Sequence, residues 1–138
     1  MADPVDVLVN VPMFSGVGRK ELKRLVDRMS ERTFAEGEVA VEEGRGGVGF
    51  WMIQDGDAAV SIGGEIVRTL GPGDYFGEVA LLDDGPRSAT VTAASDMRCP
   101  GIASWEFRPY VREHPAMALA MMQTLARRLR EAEARAGT

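Results

Sequence analysis

The spacing of hydrophobic residues changes twice along the 138-residue chain. Residues 18–29 show the three- and four-residue spacing of an amphipathic helix, with apolar side chains at Leu22, Leu25, Val26 and Met29. From residue 32 to residue 70, apolar and polar positions alternate, which favours short β-strands. Helical spacing returns after residue 104. The pattern predicts helical segments on both sides of a β-rich middle.

Turn residues divide the middle of the chain into short strands. The predicted strands cover residues 33–35, 39–41, 49–53, 58–62, 65–69, 87–93 and 97–103. Gly63 and Gly64 form the two-residue turn typical of a β-hairpin. Many short strands with close turns favour an antiparallel barrel of the jelly-roll type. The predicted fold class is therefore α+β, mainly β with flanking helices.

Two helices are predicted to follow the last strand. Ser104 is the expected N-cap of the first, and Pro115 stands at the first position of the second. The second helix is expected to continue to about Arg135, with an apolar stripe formed by Ala118, Met121, Met122, Leu125, Leu129 and Ala132. We predict one domain in three segments: N-terminal helices in residues 1–31, a β-roll in 32–103 and C-terminal helices in 104–138.

Composition and charge limit the classes of function. A net charge of −5 argues against a general affinity for nucleic acid or for an anionic membrane surface. No apolar run approaches the ~20 residues of a spanning helix, so we expect no membrane insertion. Cys99 is the only cysteine, which excludes an internal disulfide and suits a reducing cytoplasm.

Residues 71–94, GPGDYFGEVALLDDGPRSATVTAA, carry the candidate chemistry. Gly77 opens a short helical turn, whose unpaired backbone N–H groups suit an anion. Arg87 can present two donors to a phosphate, and Ser88 adds a hydroxyl donor. Glu78 accepts hydrogen bonds, as a sugar hydroxyl requires. The segment predicts a pocket for a small phosphorylated sugar; the alternative is a structural ion pair between Glu78 and Arg87 on the barrel surface.

The same segment resembles the phosphate-binding cassette of the cyclic nucleotide-binding domain family. FGEVAL at residues 76–81 and PRSATV at 86–91 match both halves of the cassette pattern. The resemblance implies that Glu78 binds the ribose 2′-OH and that Arg87 pairs with the cyclic phosphate. The whole predicted ligand-binding set is Phe76, Gly77, Glu78, Val79, Ala80, Arg87, Ser88 and Ala89.

The resemblance favours cAMP as the ligand, with cGMP as the alternative. Arg68 stands at the strand position where cGMP-selective kinases of the family read guanine. A guanidinium donates to guanine O6 and N7, whereas adenine replaces O6 with an amine; an outward-facing strand arginine is the other interpretation. In this family a C-terminal helix closes over the base, and Arg128 or Leu129 are the candidates for that contact. Leu82 is expected to repack as the helix closes.

No catalytic or metal-binding constellation is found in the sequence. His114 is the only histidine, too few for a site of several histidines or for a credible catalytic pair with Cys99. The spacing Gly44-x-Gly46-x-x-Gly49 is followed by strand-like residues, which excludes a dinucleotide-binding turn. We therefore predict neither an enzyme nor a cofactor.

The predicted function is that of a sensor domain whose ligand closes the C-terminal helix. Its output would pass to an unidentified effector protein or to a missing effector domain. One alternative is a degenerate domain of this fold that serves only as a protein-interaction module. The other is a fragment of a transcription factor, forming a homodimer through the stripe between Met121 and Ala132.

Overall fold

The computed structural model describes residues 3–45, 49–83 and 85–137. The helices are α1 (Pro4–Val9), α2 (Arg19–Val26), α3 (Ser104–Glu113) and α4 (Pro115–Arg135). Two 3₁₀ helices, Pro12–Phe14 and Glu78–Leu81, lie between regular elements. The strands are β1 (Ser30–Phe34), β2 (Val39–Val41), β3 (Gly49–Met52), β4 (Ala58–Ile62), β5 (Glu65–Leu70), β6 (Tyr75–Phe76), β7 (Thr90–Ala93) and β8 (Met97–Ala103).

The strands form two antiparallel sheets, ordered β1-β8-β3-β6 and β2-β7-β4-β5 within the described residues. The long strand β8 pairs with both β1 and β3. The β4–β5 hairpin turns at Gly63 and Gly64, whose φ angles are +60° and +83°. Such angles are needed in a tight hairpin turn and favour glycine, so the predicted turn is confirmed. Two sheets with flanking helices confirm the α+β prediction.

Strand β3 joins the two parts of the hydrophobic core. Its successive side chains alternate: Phe50 and Met52 pack among the helices, whereas Trp51 and Ile53 (just after the strand) pack inside the barrel. The Phe14 ring lies edge-on at 6.1 Å from both Phe50 and Phe107, which fixes the helices against the sheet. Because both faces are covered, all four residues of β3 are buried.

One prediction about the C-terminal helices is wrong. The chain passes directly from β8 into α3, so that Ala103 is the N-cap and Ser104 is already helical and buried, with no capping hydrogen bond from a side chain. The predicted apolar stripe of α4 is mostly exposed, and only Met121 of it is buried; Met117, Met121 and Thr124 form the face towards the core. The N-terminal segment approaches this face closely: a Cβ added to Gly16 would lie 3.0 Å from the Thr124 hydroxyl.

Other boundaries differ slightly from those expected. β7 begins at Thr90 rather than at residue 87, and Tyr75–Phe76 is a strand that the sequence did not indicate. Gly49 begins a strand, as expected, whereas Gly46 of the same glycine pattern lies outside the described residues. Within the described ranges no helix has the length and apolarity needed to cross a bilayer.

Candidate functional site

A cavity of about 500 Å³ lies between the sheet β2-β7-β4-β5 and the segment that follows β5. Apolar side chains from the sheet and polar groups from the segment line it: Val41, Val60, Arg68, Leu70, Asp74, Tyr75, Phe76, Gly77, Glu78, Asp83, Gly85, Pro86, Arg87, Ser88, Ala89 and Val91. The volume falls in the range of small-molecule sites. An apolar floor with a polar wall suits a ligand that has both a ring system and a charged group.

The structure brings most of the predicted set to this one cavity. Phe76, Gly77, Glu78, Arg87, Ser88 and Ala89 all line it, as does Arg68. Val79 and Ala80 follow in the 3₁₀ helix Glu78–Leu81. Arg128 and Leu129 lie on the exposed part of α4 and are not among the lining residues. The cassette prediction therefore describes one continuous wall, and the helix candidates stand apart from it.

Arg87 is held at the wall from both its backbone and its side chain. Its backbone N–H donates to the Arg45 carbonyl at 2.8 Å, and its Nη2 donates to the Gly49 carbonyl at 3.0 Å. Its Nε is buried, with no hydrogen-bond partner among the described residues. Burial lowers the pKa of Arg87, and the charge of Glu78 opposes that shift. The guanidinium is thus oriented by the protein but has donor capacity left for an anion.

Gly77 allows the guanidinium to approach the backbone closely. Its φ is +90°, a conformation that side chains rarely adopt. A Cβ at this position would overlap the Gly49 carbonyl oxygen and would lie 3.0 Å from Nη1 of Arg87. Glycine is required here both by the backbone angle and by the space that Arg87 fills.

Glu78 begins the second 3₁₀ helix and is partly exposed at the cavity wall. Among the described residues, no hydrogen bond or ion pair joins its carboxylate to Arg87 or to any other group. The alternative of a structural ion pair between the two residues is therefore not what the structure shows. Both residues line one cavity.

Tyr75 belongs to this wall although the sequence prediction did not include it. Its ring lies 5.9 Å from that of Phe50, which anchors it to the sheet. Its pKa is raised first by burial and then by Glu78, while the charges of Arg128 and Arg68 lower it. Arg128 on α4 therefore lies near enough to act electrostatically on a residue of the cavity. The signal in the sequence was the position of Tyr75 directly before the cassette motif.

The groups that could suggest other chemistry lie elsewhere. No cluster of three His, Cys, Asp or Glu side chains that could hold a metal ion occurs in the part of the chain that is described. Cys99 is buried inside the barrel, and burial raises its pKa to about 11. His114 stacks on the Tyr110 ring at 4.0 Å, between α3 and α4. Neither Cys99 nor His114 lines the cavity.

Comparison with known proteins points in one direction. A family model described as "Cyclic nucleotide-binding domain" matches residues 31–114. The chain is 42% identical over 93 residues, 66% of its length, to a cAMP-dependent protein kinase regulatory subunit of Yarrowia lipolytica. It is 30% identical over 127 residues, 88% of its length, to the cyclic AMP receptor protein of Thermus thermophilus.

A solved structure is similar over nearly the whole chain. The N-terminal domain of a transcriptional regulator from Streptomyces coelicolor A3(2) superposes with a TM-score of 0.81 at 30% identity, over 94% of each chain. The curated relatives are longer: the chain spans 25% of the kinase regulatory subunit and 59% of the receptor protein. The similarity therefore concerns one domain of these larger proteins.

Proposed function

This chain belongs to the cyclic nucleotide-binding domain family, and we propose that its cavity binds cAMP as the signal of a regulatory module. The observation that carries the proposal is the state of Arg87, whose guanidinium is fixed at the cavity wall with a buried Nε that no described residue satisfies. A cyclic phosphodiester supplies the missing acceptor and the negative charge. Glu78, open to the same cavity, supplies the acceptor for a ribose hydroxyl.

The cradle is completed by backbone and by a hydroxyl. Gly77 lets the phosphate approach the start of the 3₁₀ helix, where a side chain would meet Arg87 and Gly49. Ser88 stands at the exposed edge of the cavity and can donate to a second phosphate oxygen. The apolar residues Val60 and Leu70 offer the base a dry surface. The ligand is bound rather than transformed, because its groups meet only oriented donors and acceptors.

cAMP is proposed because two relatives carry cyclic AMP in their names. One observation favours cGMP as a second candidate: Arg68 lines the cavity and could donate to guanine O6. Its side chain is exposed, so with adenine bound it can turn to water at little cost. The choice between the two nucleotides therefore rests on whether Arg68 contacts the base.

We also propose that α4 closes over the bound base through Arg128 or Leu129. Arg128 already acts electrostatically on Tyr75 of the cavity wall. Leu82 and Leu129 are 43% and 60% exposed, so apolar area is available for burial on closure. A ligand shifts such an equilibrium only by its different affinity for the two arrangements. The signal would then pass to an effector protein or effector domain.

Calorimetric titration with cAMP, cGMP and 5′-AMP tests the proposal. We expect cAMP to bind at least tenfold more tightly than 5′-AMP, whose open phosphate cannot fill the same cradle. cAMP is also expected to bind more tightly than cGMP, and Arg68→Ala should widen that gap by weakening cGMP alone. Failure of all three nucleotides to bind would reject the function, and tighter binding of cGMP would reverse the choice of ligand.

A further inference from the structure

Arg108 on α3 reaches the cassette from outside the cavity. Its Nε donates a hydrogen bond to the Leu81 carbonyl at 3.2 Å, across 27 positions of sequence. Leu81 is the last residue of the 3₁₀ helix that begins with Glu78. Arg108 is not among the residues that line the cavity, and this hydrogen bond connects it to the helix that forms part of the ligand-binding wall.

The opposite ends of the 3₁₀ helix therefore have different tasks. At its start, Gly77 and Glu78 face the cavity. At its end, the Leu81 side chain is fully buried in the core cluster that includes Phe107 of α3. The last carbonyls of a helix lack internal partners, and a helix of four residues has few internal hydrogen bonds to fix its position. An external donor at Leu81 thus adds a polar contact to the packing that holds the end of this turn.

We propose that Arg108 is a positioning residue for the ligand: by holding the Leu81 carbonyl it fixes the 3₁₀ helix, and with it Glu78 and the Gly77 backbone, at the cavity wall. The proposal rests on the proposed function of the cavity as a cyclic nucleotide site. It assigns to a residue outside the cavity a share of the affinity for the phosphodiester.

Two substitutions separate the hydrogen bond from packing. Glutamine carries its amide nitrogen at the same number of bonds from the backbone as Nε of arginine, so Arg108→Gln keeps a donor for Leu81. Arg108→Met keeps the length of the side chain but offers no donor. We expect Arg108→Met to weaken cAMP binding about tenfold, as for the loss of a charge-assisted hydrogen bond, and Arg108→Gln to stay within about threefold of the unchanged protein. Arg112→Met, exposed one turn further along α3, is the matched control.

2′-Deoxyadenosine distinguishes positioning from general damage to the fold. It lacks both the phosphodiester and the 2′-hydroxyl that Glu78 accepts, so its weak affinity, measured by displacement of a fluorescent cAMP analogue, should be the same in the unchanged protein and in Arg108→Met. A merely structural role would lower the affinity for both compounds together. If Arg108→Met does not fold, Arg108→Leu provides the donor-free comparison.

The outcomes separate this inference from the proposed function. Absence of both cAMP and cGMP binding in the unchanged protein would reject the function itself. Normal cAMP binding by the unchanged protein together with normal binding by Arg108→Met would reject the role of Arg108. Equal loss in Arg108→Met and Arg108→Gln would show that a donor at the Nε position is not what matters, and would also overturn the proposal.

Discussion

Two half-buried arginines of the barrel, Arg87 at the cavity and Arg98 on β8, differ in what surrounds them. Arg98 lies 2.6 Å from a carboxylate oxygen of Asp55 and 3.8 Å from one of Glu31. The Arg87 side chain has no carboxylate partner among the described residues, and its guanidinium donates to the Gly49 carbonyl. Carboxylates of the protein neutralise Arg98, whereas the described residues orient Arg87 and form no ion pair with it.

The presence or absence of a charged partner in the protein distinguishes a structural arginine from one that binds a ligand. A buried cation without a partner is costly, and proteins retain it where another molecule supplies the missing anion. Glu78 shows the same property with the opposite sign, since it lies near Arg87 without forming an ion pair. Residue type alone would not separate the two arginines; their partners do.

Arg87→Ala is the strongest test of the difference between Arg87 and Arg98. Removing a charge-assisted contact to the phosphate should weaken cAMP binding by about 3 kcal/mol, or more than a hundredfold. The unfolding free energy should fall only by about 1 kcal/mol, because the side chain loses its hydrogen bond to the Gly49 carbonyl but no ion pair. Calorimetric titration and urea unfolding measure the two effects. Retained affinity would mean that Arg87 is a structural residue like Arg98.

The free energy of unfolding should depend on pH through Cys99, which is buried inside the barrel. Burial raises the pKa of its thiol from 9.0 to about 11. Because the folded state holds the proton more tightly, the stabilisation is complete below about pH 9 and is lost as the pH rises towards 11, by about 2 to 3 kcal/mol. Urea unfolding from pH 8 to pH 11 measures this loss, and Cys99→Ala should remove it. An identical pH dependence in that variant would contradict the assignment.

Glu78→Gln tests whether the second charged residue of the cavity contacts the ligand. The amide loses the charge that receives the ribose 2′-OH, so cAMP affinity should fall by about 1 to 2 kcal/mol, roughly tenfold. 2′-Deoxy-cAMP should bind the unchanged protein and the variant almost equally, since it has no hydroxyl for Glu78 to accept. Glu65→Gln, on exposed β5, is the matched control. A similar loss for both nucleotides would show that Glu78 does not contact the 2′-OH.

The smallest effect is expected for Arg98→Ala. The side chain of Arg98 is 35% exposed, and exposed ion pairs contribute at most about 1 kcal/mol, so the unfolding free energy should fall only by such an amount. cAMP affinity should remain within about twofold of the unchanged protein. Urea unfolding and calorimetry check both statements. A large loss of affinity would remove the contrast with Arg87.

Local patterns in the sequence were sufficient to predict most of the barrel. Alternation and turn residues gave the strand Ala58–Ile62 and the strand Met97–Ala103 with the boundaries that the structure shows. The same is true of the helix that begins at Pro115. The cassette motif brought Glu78 and Arg87 together correctly because both residues lie within one short stretch of sequence that folds back on itself.

Contacts between distant segments were not predictable in the same way. The hydrogen bond from Arg108 to Leu81 depends on how α3 packs, and neither residue carries a signal of it. The face that α4 turns to the core contains Met117, Met121 and Thr124, and differs from the most continuous apolar stripe of the helix. Ser104 is a residue type that often caps helices, but the chain passes directly from β8 into α3, so that Ala103 is the N-cap and Ser104 is the first helical residue.

The two halves of α4 differ in how firmly they are held, because only the first half packs against the core. The helix has 21 residues, or about 30 Å, and Thr124 is the last of them to be buried. Beyond Thr124, every residue of α4 is exposed, so this part of the helix does not pack against the core. A rotation of α4 by only about 10° at His114 and Pro115 would move its C-terminal end by about 5 Å. A sub-ångström shift near the start of the helix thus becomes a displacement large enough to change a contact with a neighbouring protein.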